Sequence, residues 1–174
     1  MLIRSVKPED IQAVSKAYVE SWKATYEGLA PETFIRSITV ESAADIFRTS
    51  LNNREYRYFL LAAEIPDGRI VGFADGGGER SRPEEGIGEL YGLYLLKEFH
   101  GQGIGRQLFQ SAVKSLVQSG MDSMVAWILE NSPHRTFYQK AGGLLEKGTK
   151  KLAWEGQTLS LVCYRWNELK KMVF

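Results

Sequence analysis

A glycine-rich turn between two regular elements is the segment of the sequence with the clearest chemistry. The residues His100-Gly101-Gln102-Gly103-Ile104-Gly105-Arg106 lie between an apolar strand pattern and the start of an amphipathic helix. Glycines at this spacing let the backbone curl tightly and direct its N–H groups to one point, where the positive end of a helix dipole favours an anion. The spacing indicates a pyrophosphate site. A tight turn without a ligand is the alternative interpretation.

Two common nucleotide-binding motifs do not fit this turn. A P-loop requires Gly-Lys followed by Ser or Thr, whereas this chain has Gly105-Arg106-Gln107. The dinucleotide pattern G-x-G-x-x-G, counted from Gly101, has Arg106 where the last glycine should stand. Asp122 follows at a suitable separation but at the start of a predicted strand, not at its end, where a ribose contact would be made. Neither class of nucleotide site is favoured.

Hydrophobic periodicity predicts the elements that must position this turn. A first strand at 2–6 precedes three helical segments ending near residue 51, and a charged, glycine-rich loop is expected at 76–85. The other predicted strands are 56–65, 70–74, 87–96, 124–129, 144–153 and 158–166, and the other helices are 103–119 and 132–140. The apolar run at 87–96 is typical of a central strand covered on both faces. This order predicts an α/β fold with a mixed central sheet of six to seven strands and helices on both faces.

Composition excludes several classes of function. The chain has 174 residues, of which 44% are hydrophobic and 25% charged, so we expect one folded domain over residues 1–174. The net charge of +1 provides no footprint for non-specific nucleic-acid binding. The lone cysteine, Cys163, excludes an internal disulfide framework and a Cys-rich metal module, and we expect it in the core. No secretory signal or membrane-spanning run is visible, so we expect a cytoplasmic protein.

Three segments in chain order resemble the GCN5-related N-acetyltransferase (GNAT) family, which transfers the acetyl group of acetyl-CoA to an amine. Residues 100–105 are similar to the family's Gln/Arg-x-x-Gly-x-Gly/Ala pattern, with His100 at the Gln or Arg position. Residues 127–132 and 135–142 are similar to the family's fifth strand and its FY-x-K/R-x-GF helix end, with Gly143 in place of the phenylalanine. Residues 21–31 resemble a bacterial subgroup that includes polyamine-type enzymes.

The resemblance implies acetyl-CoA as the co-substrate and no metal. It implies that Leu93, Tyr94 and Leu95 bind the pantetheine and thioester, with a backbone N–H near Leu95 as oxyanion donor. The remaining cofactor contacts that it implies are His100, Gly101, Gln102, Gly103, Ile104, Gly105, Arg106, Asn131 and Lys140. Arg106 is equally well explained as an exposed first-turn arginine, and Asn131 as the cap of the next helix.

Two side chains are candidates for proton transfer. Tyr138 matches the position of the family's general acid, and a phenol has a pKa near that of a thiol, so it could protonate the leaving thiolate. Core packing is its alternative role. Glu89 matches the catalytic glutamate of histone-type members, and burial in an apolar strand would make a carboxylate a better proton acceptor. A charge at a strand end, or a chain of waters acting as the base, is the alternative for Glu89.

The acceptor side is defined by acidic and aromatic residues. Between 75 and 89 the acidic side chains are Asp75, Glu79, Glu84, Glu85 and Glu89, against the arginines Arg80 and Arg82. This balance favours a cationic amine, although a solvated charged loop is the alternative. Trp22, Tyr26 and Phe34 either wall the acceptor pocket or pack in the core, and His134 is expected to be exposed near a helix start.

Two classes of function stay open at this point. The first is an N-acetyltransferase that moves the acetyl group directly to a primary amine of a small molecule or peptide. The second is a non-catalytic CoA-binding sensor or interaction module with the same fold. A homodimer formed through the C-terminal strands also stays open, because nothing in the sequence tests it.

Overall fold

A mixed seven-stranded sheet forms the centre of the computed structural model, which describes residues 1–52, 57–80 and 86–173. The strands are β1 (Leu2–Ser5), β2 (Phe59–Glu64), β3 (Ile70–Gly78), β4 (Ile87–Leu95), β5 (Ser123–Leu129), β6 (Leu144–Trp154) and β7 (Gln157–Trp166). The helices are α1 (Ile11–Tyr26), α2 (Glu32–Arg36), α3 (Val40–Asn52), α4 (Ile104–Gln118) and α5 (Arg135–Lys140). The strand order is β1-β2-β3-β4-β5-β7-β6, and β4 and β5 are the parallel neighbours. The predicted fold class and element order are confirmed.

Helices cover both faces of the sheet. Successive residues of a strand point to opposite sides, and here the apolar side chains on each side pack against helices. In β2, Leu61 and Ala63 pack in the cluster that contains α4, whereas Leu60 and Ala62 pack in the cluster that contains α1 and α3. Cys163 of β7 is buried, as expected for a core position. Within the described residues, no helix is long and apolar enough to cross a membrane.

Strands β4 and β5 separate after three residue pairs. Ile87, Gly88 and Glu89 pair with β5, and from Leu90 onward β4 pairs with β3 alone. The β3–β4 register also shifts at this point: Gly76 pairs with Leu90 and Asp75 with Gly92, which leaves Tyr91 as the extra residue of a β-bulge. The result is an opening between the C-terminal half of β4 and β5.

The structure corrects two predicted strand boundaries. β3 continues through Gly78, where the sequence predicted a loop from residue 76, because its glycines allow close backbone contact with β4. A β-carbon on Gly76 would lie 2.4 Å from the carbonyl oxygen of Glu89. The predicted start of β2 at Tyr56 lies outside the described residues, and the observed strand begins at Phe59.

Two further predictions need correction for reasons that lie in the tertiary structure. β4 is central but is not covered along its whole length, because residues Tyr91 to Leu95 contribute to the wall of the opening and are each only half-buried. The predicted helix at 132–140 begins at Arg135, because Ser132 forms a turn in which its hydroxyl oxygen accepts a hydrogen bond from the backbone N–H of His134 at 3.2 Å.

Candidate active site

The opening between β4 and β5 forms a cavity of about 410 Å³. Most of its walls come from the separated strands, the glycine-rich turn, and α5 with the turn before it. The lining residues are Thr25, Tyr26, 90–95, His100, Gly101, Gly103, Gly105, Arg106, 126–129, Ser132, His134, Phe137 and Tyr138. The structure therefore brings the predicted turn, the predicted thioester strand and the predicted general acid to one cavity.

The glycine-rich turn lines part of this cavity and has the geometry expected of an anion cradle. Gly101 and Gly103 have φ values of +76° and +79°, and a β-carbon on either would meet nothing within 4 Å. The first-turn N–H groups of α4 have no intrahelical acceptor, as in any helix, and the first turn contains no acidic side chain. Arg106 lies in that turn and also lines the cavity. These residues fit the pyrophosphate of a coenzyme.

His100 braces the turn against the end of β4. Its Nε2 donates a hydrogen bond to the carbonyl oxygen of Leu95 at 2.9 Å. The ring of His134 lies edge-on to it, with centroids 6.0 Å apart. Partial desolvation of the ring by its surroundings and the neighbouring His100 lower the pKa of His134. His134 is exposed, as predicted, but it also lines the cavity, and the sequence contained no signal for that position.

The backbone of β4 presents alternate groups to the opening. The N–H of Leu96 donates to the carbonyl oxygen of Val71 in β3 at 2.9 Å. Because successive residues of a strand direct their backbone groups to opposite edges, those of Leu95 and Leu93 are directed toward β5. This is the edge at which the resemblance implies binding of the pantetheine and thioester.

Tyr138 both packs against the core and faces the cavity. Its ring stacks on Tyr164, with centroids 6.1 Å apart and planes 19° apart, and lies 6.2 Å from the ring of Trp166. Burial raises the pKa of Tyr138, and the electrostatic interaction with Tyr26 raises it further. The hydroxyl therefore stays protonated at neutral pH, and the same shift makes it a weaker acid than a free phenol.

Glu89 does not line the cavity. Its side chain is buried, and the guanidinium of Arg80 donates to both carboxylate oxygens at 2.7 and 3.2 Å. The backbone N–H of Arg80 adds a third hydrogen bond at 2.9 Å. The Arg80 guanidinium in turn lies 3.8 Å from the centre of the Tyr91 ring. Glu89 thus holds Arg80 beside the bulge.

Several other predicted site residues also lie outside the cavity lining. The Ile104 side chain is buried in the core, and Gln102 donates to the carbonyl oxygen of Glu98 at 3.1 Å. Asn131 and Lys140 are exposed. Because α5 begins at Arg135, Asn131 does not cap it, and that alternative is wrong.

The aromatic residues of α1 divide between core and cavity. Trp22 packs on Tyr26 and Phe34, with ring centroids 4.3 and 5.1 Å apart, and is not part of the lining. Tyr26 lines the cavity, and its hydroxyl lies 3.3 Å from that of Tyr94. Tyr26 is therefore a wall residue of the cavity, whereas Trp22 and Phe34 pack in the core.

The acidic residues between 75 and 89 do not share one solvated loop. Asp75 lies within β3, and Glu79 and Glu89 are buried. Glu84, Glu85 and Arg82 lie outside the described residues. Asp75 Oδ2 accepts a hydrogen bond from the Tyr58 hydroxyl at 3.1 Å, and burial raises the pKa of Asp75 to about 7. No group of three or more His, Cys, Asp or Glu that could hold a metal occurs in the described ranges.

Comparisons with known proteins agree with this geometry. The acetyltransferase (GNAT) family model matches residues 16–143. An uncharacterized N-acetyltransferase of Bacillus subtilis is 36% identical over 138 residues, covering 79% of this chain and 76% of its own. A spermidine N(1)-acetyltransferase of Thermoplasma acidophilum is 26% identical, covering 83% of this chain and 88% of its own.

The same fold occurs in a solved structure. The PaiA N-acetyltransferase of Thermoplasma acidophilum in complex with coenzyme A superimposes with a TM-score of 0.69 at 23% identity, covering 95% of this chain and 98% of its own. Because the family model spans most of the sequence and the Bacillus subtilis relative is so similar, the chain belongs to the acetyltransferase (GNAT) family, as its motifs predicted.

Proposed function

We propose that the chain transfers the acetyl group of acetyl-CoA directly to a primary amine of a small molecule or peptide, with a preference for a cationic amine. The observation that carries the proposal is the convergence of three parts on one cavity: a glycine-rich turn at a helix N-terminus, a strand edge that has left its neighbour β5, and a half-buried phenol. Acyl transfer requires each of them, for binding the cofactor, polarising the thioester carbonyl and protonating the leaving thiolate.

The residues would divide the chemistry as follows. The N–H groups from Gly101 to Arg106 hold the pyrophosphate, and the exposed edge of β4 at Leu93 and Leu95 aligns the pantetheine and donates to the developing oxyanion. As the amine nitrogen bonds to the carbonyl carbon and the carbon–sulfur bond breaks, Tyr138 gives its phenolic proton to the sulfur. His100 positions the turn by its hydrogen bond to Leu95.

The preference for a cationic acceptor is supported by the surroundings of Tyr26 and Tyr94. Aromatic faces stabilise ammonium groups by cation–π contact, and Asp75 provides a carboxylate on the same side of the sheet. The Thermoplasma acidophilum relative, whose name gives spermidine as its substrate, is in line with this class.

The test is release of free thiol from acetyl-CoA by the purified chain with spermidine, putrescine, lysine and a lysine-containing peptide. We expect turnover with at least one of these amines and a slower background rate without an amine. Tight binding of acetyl-CoA by calorimetry, combined with no turnover on any of them, would support the alternative of a non-catalytic CoA-binding sensor.

A further inference from the structure

A carboxylate that the motifs do not include lies next to the point where β4 leaves β5. Asp75 of β3 pairs with Gly92, and the bulge at Tyr91 follows directly. Gly92 lines the cavity, and Asp75 Oδ1 lies 2.7 Å from the point that a β-carbon of residue 92 would occupy. Position 92 has no side chain to cover this carboxylate; Asp75 itself is not among the lining residues, and the edge of the Tyr94 ring lies 3.1 Å from the same point.

The partners of Asp75 differ from those of Glu89. Tyr58 donates one hydrogen bond to Oδ2, and the ion pairs formed within 1–52, 57–80 and 86–173 do not include Asp75. Arg80, the nearby cation, has its guanidinium bound to both oxygens of Glu89. Asp75 thus keeps an oxygen available for a cation that comes from outside the chain.

From this arrangement we infer that Asp75 binds the ammonium group of the acceptor and takes one of its protons. The inference rests on the proposed function and assigns a residue to its acceptor side. A half-buried carboxylate surrounded by aromatic rings selects a compact cation over a neutral amine, because a cation compensates the desolvated negative charge. Glu89, by contrast, has both carboxylate oxygens bound by Arg80, which it holds beside the bulge.

The proton balance is complete with the groups present. The ammonium transfers one proton to Asp75, which later releases it to solvent, and the freed lone pair attacks the thioester carbonyl carbon. The carbon–nitrogen bond forms, the carbon–sulfur bond breaks, and Tyr138 protonates the thiolate. The second proton lost by the nitrogen returns through solvent to the Tyr138 oxygen, so the products are the amide, the free thiol and one proton.

The pKa of Asp75 supports this role, since a base with a pKa of about 7 is half-ionised at neutral pH. Burial raises that pKa, whereas the Tyr58 hydrogen bond and Arg80 lower it. Several titratable or charged groups face this carboxylate from the neighbouring elements: Tyr18 of α1, Tyr58, Arg80, and Glu89 and Tyr94 of β4.

The decisive variant is Asp75→Asn, which keeps an oxygen for the Tyr58 hydroxyl but neither binds an ammonium as an anion nor accepts its proton. With the best amine of the panel we expect kcat/KM to fall about 100-fold. The dissociation constant of acetyl-CoA should change less than twofold. The matched control is Asp45→Asn, an exposed carboxylate on α3, for which we expect unchanged kinetics.

The pH profile separates a proton acceptor from a residue that only supports the fold. In the wild type, kcat/KM should rise through a pH near 7, and Asp75→Asn should lack this limb. Tyr58→Phe removes a hydrogen bond that lowers the pKa of Asp75, so its limb should move to higher pH. Retention of the limb, or of kcat/KM within threefold, in Asp75→Asn would overturn the inference alone. A wild type that acetylates no amine of the panel contradicts the proposed function itself, and the inference with it.

Discussion

The two halves of β4 belong to one predominantly apolar strand but have different surroundings. Residues 87–89 have a hydrogen-bonded neighbour on each side, β3 and β5, whereas residues 90–95 have β3 alone. In the first half, Gly88 and Glu89 are buried and serve the packing of the sheet. In the second half, the half-buried residues line the cavity. One strand therefore stabilises the fold at its start and lines the candidate active site at its end.

The largest effect that would test this division is expected at Tyr138, which faces the open half. Tyr138→Phe removes the proton donor but keeps the ring stacked on Tyr164, so kcat should fall about 100-fold or more. The melting temperature and the affinity for acetyl-CoA should stay close to wild type. Steady-state kinetics and thermal unfolding measure both quantities, and a near-normal kcat would remove Tyr138 as the general acid.

A smaller effect is expected at the cradle that follows the open half. Gly103→Ala places a β-carbon on a residue with φ of +79°, at a strain of about 1–2 kcal/mol, and so disturbs the turn whose N–H groups are proposed to hold the phosphates. We expect acetyl-CoA to bind about tenfold more weakly, which corresponds to about 1.4 kcal/mol.

The matched control is Gly156→Ala, in the turn between β6 and β7. Gly156 has φ of +77° and, like Gly103, nothing within 4 Å of its β-carbon position. Both variants should therefore unfold at similarly reduced temperatures, while only Gly103→Ala loses affinity in calorimetry. Equal loss of affinity in the two variants would mean that the cradle is not the phosphate site.

The smallest effect on function is expected in the paired half. A β-carbon on Gly88 would lie 2.8 Å from the Cδ2 atom of Leu116 in α4. Gly88→Ala should therefore lower the free energy of unfolding by about 1–3 kcal/mol through overpacking. Chemical denaturation measures this loss. The kcat and acetyl-CoA affinity of the folded fraction should remain within twofold of wild type, and a specific loss of either would contradict the division of β4.

Much of this fold and of its cofactor side could be predicted from local patterns. The spacing of Gly101, Gly103 and Gly105 before an amphipathic helix predicted a cradle, because left-handed backbone and a free helix N-terminus are local properties. Tyr138 was predicted through its motif, and the structure places it in the cavity wall. Glu89 was also identified by its motif, yet a motif does not show that Arg80 binds both of its oxygens.

The sequence by itself determined the order of elements, the glycine-rich turn before α4 and the family, since periodicity, turn chemistry and motifs are carried by neighbouring residues. The tertiary structure alone decided where β4 leaves β5, that Asp75 belongs to a strand beside that point, and that the ring of His134 lies edge-on beside that of His100. The physical reason is that strand separation, burial and charge pairing depend on residues distant in sequence, and those distances are set only when the chain folds.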